Sequence, residues 1–169
     1  TFSGSALMLI AILILFFSTG SFDLYALQTM SIQPVAFSLP VIFLLFFVGF
    51  AVKLPVFPLH TWLPDAHTDA PTAVSMILAG ILLKMGGYGI IRICLNLFPG
   101  VAKDFGWILA MLAVITVLYG AIIVFRQTDL KRLIAYSSIS HMGIVLLGVS
   151  SLGSIGILGA TLQMFAHGT

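Results

Sequence analysis

No glutamate occurs among the 169 residues, asparagine and cysteine occur once each, and charged side chains make up only 7% of the chain. A water-soluble domain carries about 25% charged residues, so a hydrated surface cannot be assembled from this composition. The solvent around most of the chain is therefore lipid. A formal net charge of +2, scattered and without a basic run, excludes nucleic acid as a partner. The lone Cys94 excludes an internal disulfide framework or a cysteine metal cluster and reads as a small hydrophobe. A positively charged leader is missing too. The chain starts at Thr1 and ends in Phe165-Ala166-His167-Gly168-Thr169 within an apolar run, so the expectation is a segment of a longer protein, not a signal-anchored whole.

What is present is apolar: 60% of residues, with a mean hydropathy of +1.20. Hydrocarbon offers backbone N–H and C=O groups no partner, so each span must satisfy its own, as a helix or a closed barrel. Barrel strands alternate polar and apolar positions, whereas residues 6–17 are apolar throughout. The fold class predicted is all-α, a polytopic transmembrane helix bundle in a single membrane-embedded domain over residues 1–169. Windows of about 20 residues give five complete spans and part of a sixth. They fall at about 5–22, 35–63, 72–98, 105–125 and 133–152, with the last beginning near Ile155. An amphipathic linker is expected at 23–34 and loops at 64–71 and 126–132. Alternation puts those two loops on one face, where Arg126, Lys131 and Arg132 outnumber Arg92 and Lys103 of the other. Positive residues favour the cytoplasmic side, so that face is assigned inside.

Certain residues do not suit lipid. Lys84 lies midway along the third span, about 18 Å deep at a rise of ~1.5 Å per residue, beyond easy reach of bulk water. It should face protein or an internal water cavity. A central lysine costs on the order of 3 kcal/mol to insert and so is expected to have a use and a partner. Burial disfavours its charge, which suits it to gain and lose a proton; a lysine fixed in one ion pair that staples two helices is the plainer alternative. Lys53 precedes Pro55 and Pro58. Each proline removes a donor and clashes with a carbonyl four residues back, so the helix must break around Ala51–Leu54. Broken spans are tolerated only beside protein or a wet cavity, and transporters place them at ion sites. Snorkelling to an interface is the alternative for Lys53.

His141 follows Tyr136, Ser137, Ser138 and Ser140, and the residues three and four positions back share its helix face, a surface that could hold a water chain. His167 is the fourth candidate for proton transfer. A packed, hydrogen-bonded imidazole would explain either histidine alone. Asp65 and Asp69 suit the start of the next helix. With His60 and His67 their spacing fits no standard ligand set, so no metal site is expected. Gly80, Gly86, Gly87 and Gly89 allow helices to approach closely. Trp62 and Trp107 read as interfacial aromatics at span ends.

The runs Val52-Lys53-Leu54-Pro55, Pro58-Leu59-His60-Thr61-Trp62-Leu63-Pro64-Asp65-Ala66-His67, Leu78-Ala79-Gly80-Ile81-Leu82-Leu83-Lys84-Met85-Gly86-Gly87-Tyr88-Gly89, Leu130-Lys131-Arg132-Leu133-Ile134-Ala135-Tyr136-Ser137-Ser138-Ile139-Ser140-His141-Met142-Gly143 and Leu162-Gln163-Met164-Phe165-Ala166-His167-Gly168 closely resemble the antiporter-like subunits of proton-pumping NADH:quinone oxidoreductase. Among these the likeness is greatest to the subunit M, or chain 4, type. The resemblance implies about fourteen helices with two inverted repeats, each containing a broken helix, of which this chain would supply the sixth to eleventh. It implies that Lys53 corresponds to the lysine of the first broken helix, Lys84 to that of the next helix, and His141 and His167 to histidines of a central polar axis. A hydrated chain across the midplane would then carry protons, each lysine's charge shifting proton affinity at the next. The family's glutamate partner of the broken-helix lysine would lie upstream and its exit residue downstream.

The resemblance further implies a non-redox subunit without a cofactor of its own. Quinone and NADH would be handled by other subunits, and the partners would be neighbouring antiporter-like subunits and lipid. An energy-coupling membrane is implied: the bacterial plasma membrane first, an organellar inner or thylakoid membrane second. A subunit of a cation/proton antiporter or of a membrane-bound hydrogenase reuses the same helices and stands as the alternative.

Overall fold

A computed structural model describes residues 1–29 and 38–169, and every regular element among them is helical. In chain order they are α1 (Phe2–Thr19), α2 (Leu24–Thr29), α3 (Leu39–Lys53), α4 (Trp62–Asp69), α5 (Thr72–Ile77), α6 (Leu83–Gly89), α7 (Pro99–Val124), α8 (Leu130–Ser150) and α9 (Ser154–Gly168). A π-helical turn, Leu78–Leu82, joins α5 to α6, and a second, Ile90–Leu95, extends α6. Together they make one continuous rod, Thr72–Leu95.

Among the described residues α1, that rod, α7 and α8 are long and apolar enough to cross a membrane. They correspond to the first, third, fourth and fifth expected spans. The protein is an integral, multi-pass membrane protein. α7 starts at Pro99 and not at 105, because proline at the first helical position gives up an N–H that has no partner there anyway; Lys103 and Asp104 then lie on an exposed helical face. Trp107 consequently stands two turns inside α7 and not at its end.

The second expected span differs most. α3 has 15 residues, about 22 Å at ~1.5 Å per residue, against ~30 Å of hydrocarbon. The start predicted for it at Val35, and the end of the linker at Pro34, lie outside the described residues. As the prolines require, α3 ends at Lys53. The stretch read as a loop at 64–71 is mostly α4: Pro64 falls in the first turn, where its missing N–H removes no helical bond, and Asp65 lies in that same turn, where the helix dipole favours an acid. Ala70 turns extended (φ −74°, ψ 145°), as the residue before a proline should, and ends α4.

α1 packs along α3, α7 along α8, and α9 and α4 against α8. Phe43, Phe46, Leu54, Leu83, Ile90, Ile139, Met142 and Leu146 meet in the centre, fully buried. The outer surface is apolar as well, with Ile115, Leu118 and Ile122 of α7 exposed, as lipid-facing positions should be. The two loops assigned to one face do lie together: Arg132 pairs with Asp65 at 3.3 Å, and Lys131 Nζ donates to the carbonyls of Thr68 (3.4 Å) and Ala70 (3.0 Å).

Candidate functional site

The break after α3 is where the chain departs furthest from a simple bundle. Pro55 and Pro58 donate no hydrogen bond, so the last turn of α3 must be completed otherwise. Leu54 N donates to Phe50 O (2.8 Å) and Val56 N to Ala51 O (3.0 Å), which leaves the Val52 carbonyl without its usual donor. The indole Nε1 of Trp62 supplies one at 2.7 Å. Trp62 thus caps a broken helix from inside the protein, whereas its sequence position suggested an interfacial anchor. Phe57 N donates to Thr116 Oγ1 of α7 at 3.1 Å.

Lys84 projects from the first turn of α6. Its Nζ lies 2.6 Å from Nδ1 of His167 on α9 and also donates back to the Ala79 carbonyl in the π-helical turn. With lysine donating, His167 Nδ1 is the acceptor and the ring proton sits on Nε2, which donates to Ser138 Oγ at 3.1 Å. Beside it, the His141 ring meets the His167 ring edge-on at 5.4 Å between centroids, and Gln163 Nε2 donates to His141 Nδ1 at 3.1 Å. Lys84, His167 and Ser138 therefore form one hydrogen-bonded thread joining three helical elements, with the His141–Gln163 pair set edge-on against it. π-helical turns recur at functional sites because an inserted residue redirects a carbonyl or a side chain, and here the turn offers Ala79 O to the ammonium. A cleft of about 390 Å³ opens beside Lys84, bounded by Gly80, Tyr88 and Met164, with room for water. A second, of about 220 Å³, runs from His67, Ser75 and Lys131 to Ala79 on the neighbouring turn.

The four predicted proton-transfer residues are not all brought together. Lys84, His141 and His167 converge, while Lys53 sits half-buried at the end of α3 with no hydrogen-bond or ion-pair partner among the described residues. His141 is exposed in this chain and Lys84 and His167 are half-buried, so the expectation of four buried groups gives way to a half-buried thread. On the face predicted for His141, Ser138 serves His167; the neighbouring Ser140 donates through Oγ to Val117 O across to α7 at 3.2 Å. Ser137 and Tyr136 are half-buried.

The histidines that are buried are His60 and His67. His60 is 2% exposed, lies against the rings of Phe57 and Tyr119 (5.7 and 4.7 Å), and has no partner for either ring nitrogen among the described residues. His67, in α4, is held below the usual histidine range by burial, with the nearby Lys131 charge adding to it. Among the described residues no group of histidines, cysteines and acids is placed to hold a metal ion. Gln163, Thr116 and the Ala79 carbonyl were not singled out from sequence. Gln163 had a signal, a lone amide in an apolar span; the other two become visible only when helices are placed.

A proline-broken helix packed among membrane-spanning rods, beside an amine hydrogen-bonded to an imidazole of another helix, defines a polytopic membrane protein with an interrupted helix. The sequence pattern of the NADH:quinone oxidoreductase/Mrp antiporter transmembrane family matches residues 1–169, and the chain belongs to that family. It is 51% identical over 166 residues to NAD(P)H-quinone oxidoreductase chain 4 2 of Thermosynechococcus vestitus, covering 98% of this chain and 31% of that protein. It is 45% identical over 168 residues to NADH-quinone oxidoreductase subunit M of Rickettsia prowazekii, covering 99% and 34%. A chain of respiratory complex I from Thermus thermophilus superposes with a TM-score of 0.88 at 36% identity, covering 98% of this chain and 35% of that one. The chain spans about a third of the length of these relatives.

Proposed function

We propose that this chain is part of a proton-translocating membrane subunit of an NADH:quinone oxidoreductase, performing no redox chemistry itself and carrying H⁺ along the Lys84–His167 thread. The observation that carries this reading is the 2.6 Å contact between Lys84 Nζ and His167 Nδ1. An ammonium donating to an imidazole already directs its proton at the acceptor. Transfer to Nδ1 gives an imidazolium whose Nε2 proton can leave towards Ser138 Oγ, so a proton received on one side of the ring departs from the other. The cleft lined by His67, Ser75 and Lys131 supplies the proton from the face of the Asp65–Arg132 pair, and the His141 ring, edge-on against His167, is the next titratable group beyond it. Lys53 acts on the thread through its charge, with a counter-ion on a helix preceding α1, as the family pattern implies. Its partners are further membrane subunits of the same complex, and NADH and quinone react elsewhere in it.

The test is proton pumping per NADH oxidised in vesicles carrying the full-length chain within its assembled complex. Lys84→Gln and Lys84→Arg should both assemble and both lose pumping by about tenfold or more, within the contribution of a positioned proton-transfer group. Arginine matters because a guanidinium keeps its charge but does not give up its proton. Normal pumping in the arginine variant would show that Lys84 serves as a fixed cation and would overturn the relay.

A further inference from the structure

We infer that Thr116 of α7 is a positioning residue for the broken segment, holding the stretch between Lys53 and His60 in register with the proton thread; this rests on the function proposed above. Between α3 and α4 the main chain has few ways to satisfy itself. Leu54, Val56 and Leu59 donate to Phe50, Ala51 and Val56 carbonyls, and Pro55 and Pro58 have nothing to donate. Phe57 N–H, among the described residues, is the backbone donor of the break that leaves the local backbone, and it goes to Thr116 Oγ1 at 3.1 Å.

The threonine is equipped for this role. It is 0% exposed, and its hydroxyl proton is committed to Leu112 O at 2.6 Å, which turns the oxygen lone pairs outward to the Phe57 amide. One turn further along α7, Tyr119 packs on the ring of Phe57 at 5.0 Å and on the unpartnered His60 ring at 4.7 Å. A single face of α7 therefore fixes both the backbone and the side chains of the break. The neighbouring face touches α8, where Gly120 lets the Ser140 backbone approach closely. The same helix thus touches the broken segment and the helix that carries Ser138 and His141. Without the hydroxyl, Phe57 N–H would be left without a partner at membrane depth, and the break would rearrange to find one.

The experiment compares Thr116→Val, which keeps shape and removes the acceptor, with Thr116→Ser, which keeps the hydroxyl, in the full-length chain within its assembled complex. Two readouts are taken: amide hydrogen exchange of the peptide covering residues 54–61, and pumping per NADH oxidised. The valine variant should exchange roughly tenfold faster across that peptide, as expected for loss of one buried hydrogen bond, and should pump severalfold less per NADH while NADH oxidation continues. The serine variant should restore both. Wild-type exchange in the valine variant, or equal damage in valine and serine variants, would overturn the inference. Should the valine variant fail to assemble, Thr116→Cys decides, because a thiol is a poor acceptor: wild-type exchange and pumping there would also overturn it. Faster exchange with undiminished pumping would reduce Thr116 to a structural role and equally overturn it. If Lys84 variants lose pumping while Thr116 variants do not, only this inference falls; if Lys84 variants pump normally, the relay itself falls.

Discussion

Alanine at Gly86 pits two effects of known size against each other. A Cβ on Gly86 would lie 2.8 Å from Leu54 N, 3.0 Å from Phe50 O and 3.2 Å from Leu54 Cα, all backbone atoms of the broken helix. Ordinary contact begins near 3.4 Å, so α6 would have to retreat from α3 by several tenths of an ångström, and no rotamer change can absorb it. Overpacking of this kind costs about 1–3 kcal/mol. Replacing a helical glycine with alanine returns about 1 kcal/mol of backbone entropy. Gly159, mid-way along α9, provides the reference, since a Cβ there meets nothing within 4 Å and gains the same propensity. The difference between Gly86→Ala and Gly159→Ala therefore isolates the contact and should be about 1–3 kcal/mol, with the Gly86 variant the less stable. Unfolding of the full-length chain in mixed micelles, titrated with SDS, measures that difference. Pumping should fall with it, because Lys84 rides on the same short helix and depends on a 2.6 Å contact with α9. If the two variants prove equally stable, the close approach of α6 to the break is wrong, and the argument that places Lys84 fails with it.

Two further outcomes follow from the same geometry. Trp62→Phe leaves the Val52 carbonyl without a donor, costing about 1–3 kcal/mol locally, so amide exchange across residues 50–62 should accelerate; unchanged exchange would deny the indole its capping role. His67 is held neutral by burial and by Lys131, so opening of α4 takes up a proton, and the closed form is at full strength above the ordinary histidine value of 6.5. As pH falls through 6.5 and below, α4 should loosen, seen as exchange at residues 62–70 rising beyond the intrinsic pH effect, and His67→Gln should abolish the dependence; a pH-independent wild type would refute this.

The parts legible in the sequence were those set by local chemistry. Proline cannot donate, so the end of α3 near Ala51–Leu54 could be read from Pro55 and Pro58 alone. Continuous apolarity marked α1, α7, α8 and the Thr72–Leu95 rod. What escaped depended on position within an element or on the crossing of two. The stretch from Pro64 read as a loop, yet a first-turn proline costs a helix nothing, and α4 formed across it. Lys84 and His167 were each suspect on their own helix, but their contact needs α6 and α9 to cross at one depth, and no periodicity within one strand of sequence encodes that. The π-helical turn that presents Ala79 O is equally silent, because its extra residue changes hydrogen bonding without changing composition. Ser140 shows the converse error: a hydroxyl near a histidine in sequence that turns out to serve helix packing.

In the proposed mechanism Lys53 acts on the thread without touching it. The broken segment and α6 touch through backbone at Gly86 and Leu54, with no side chain between to absorb movement. Lys53 terminates α3 directly before Leu54, so both the position and the field of its ammonium reach α6 through a stiff joint. In the proposed mechanism that field biases whether Lys84 keeps its proton or passes it to His167, with no hydrogen bond between the two lysines. A contact would serve the mechanism worse, since two ammonium groups held together could not both stay charged, whereas separation lets each be loaded and emptied in turn. Among the described residues the direct hydrogen bonds at the break go to Trp62 and Thr116, and Lys53 has none.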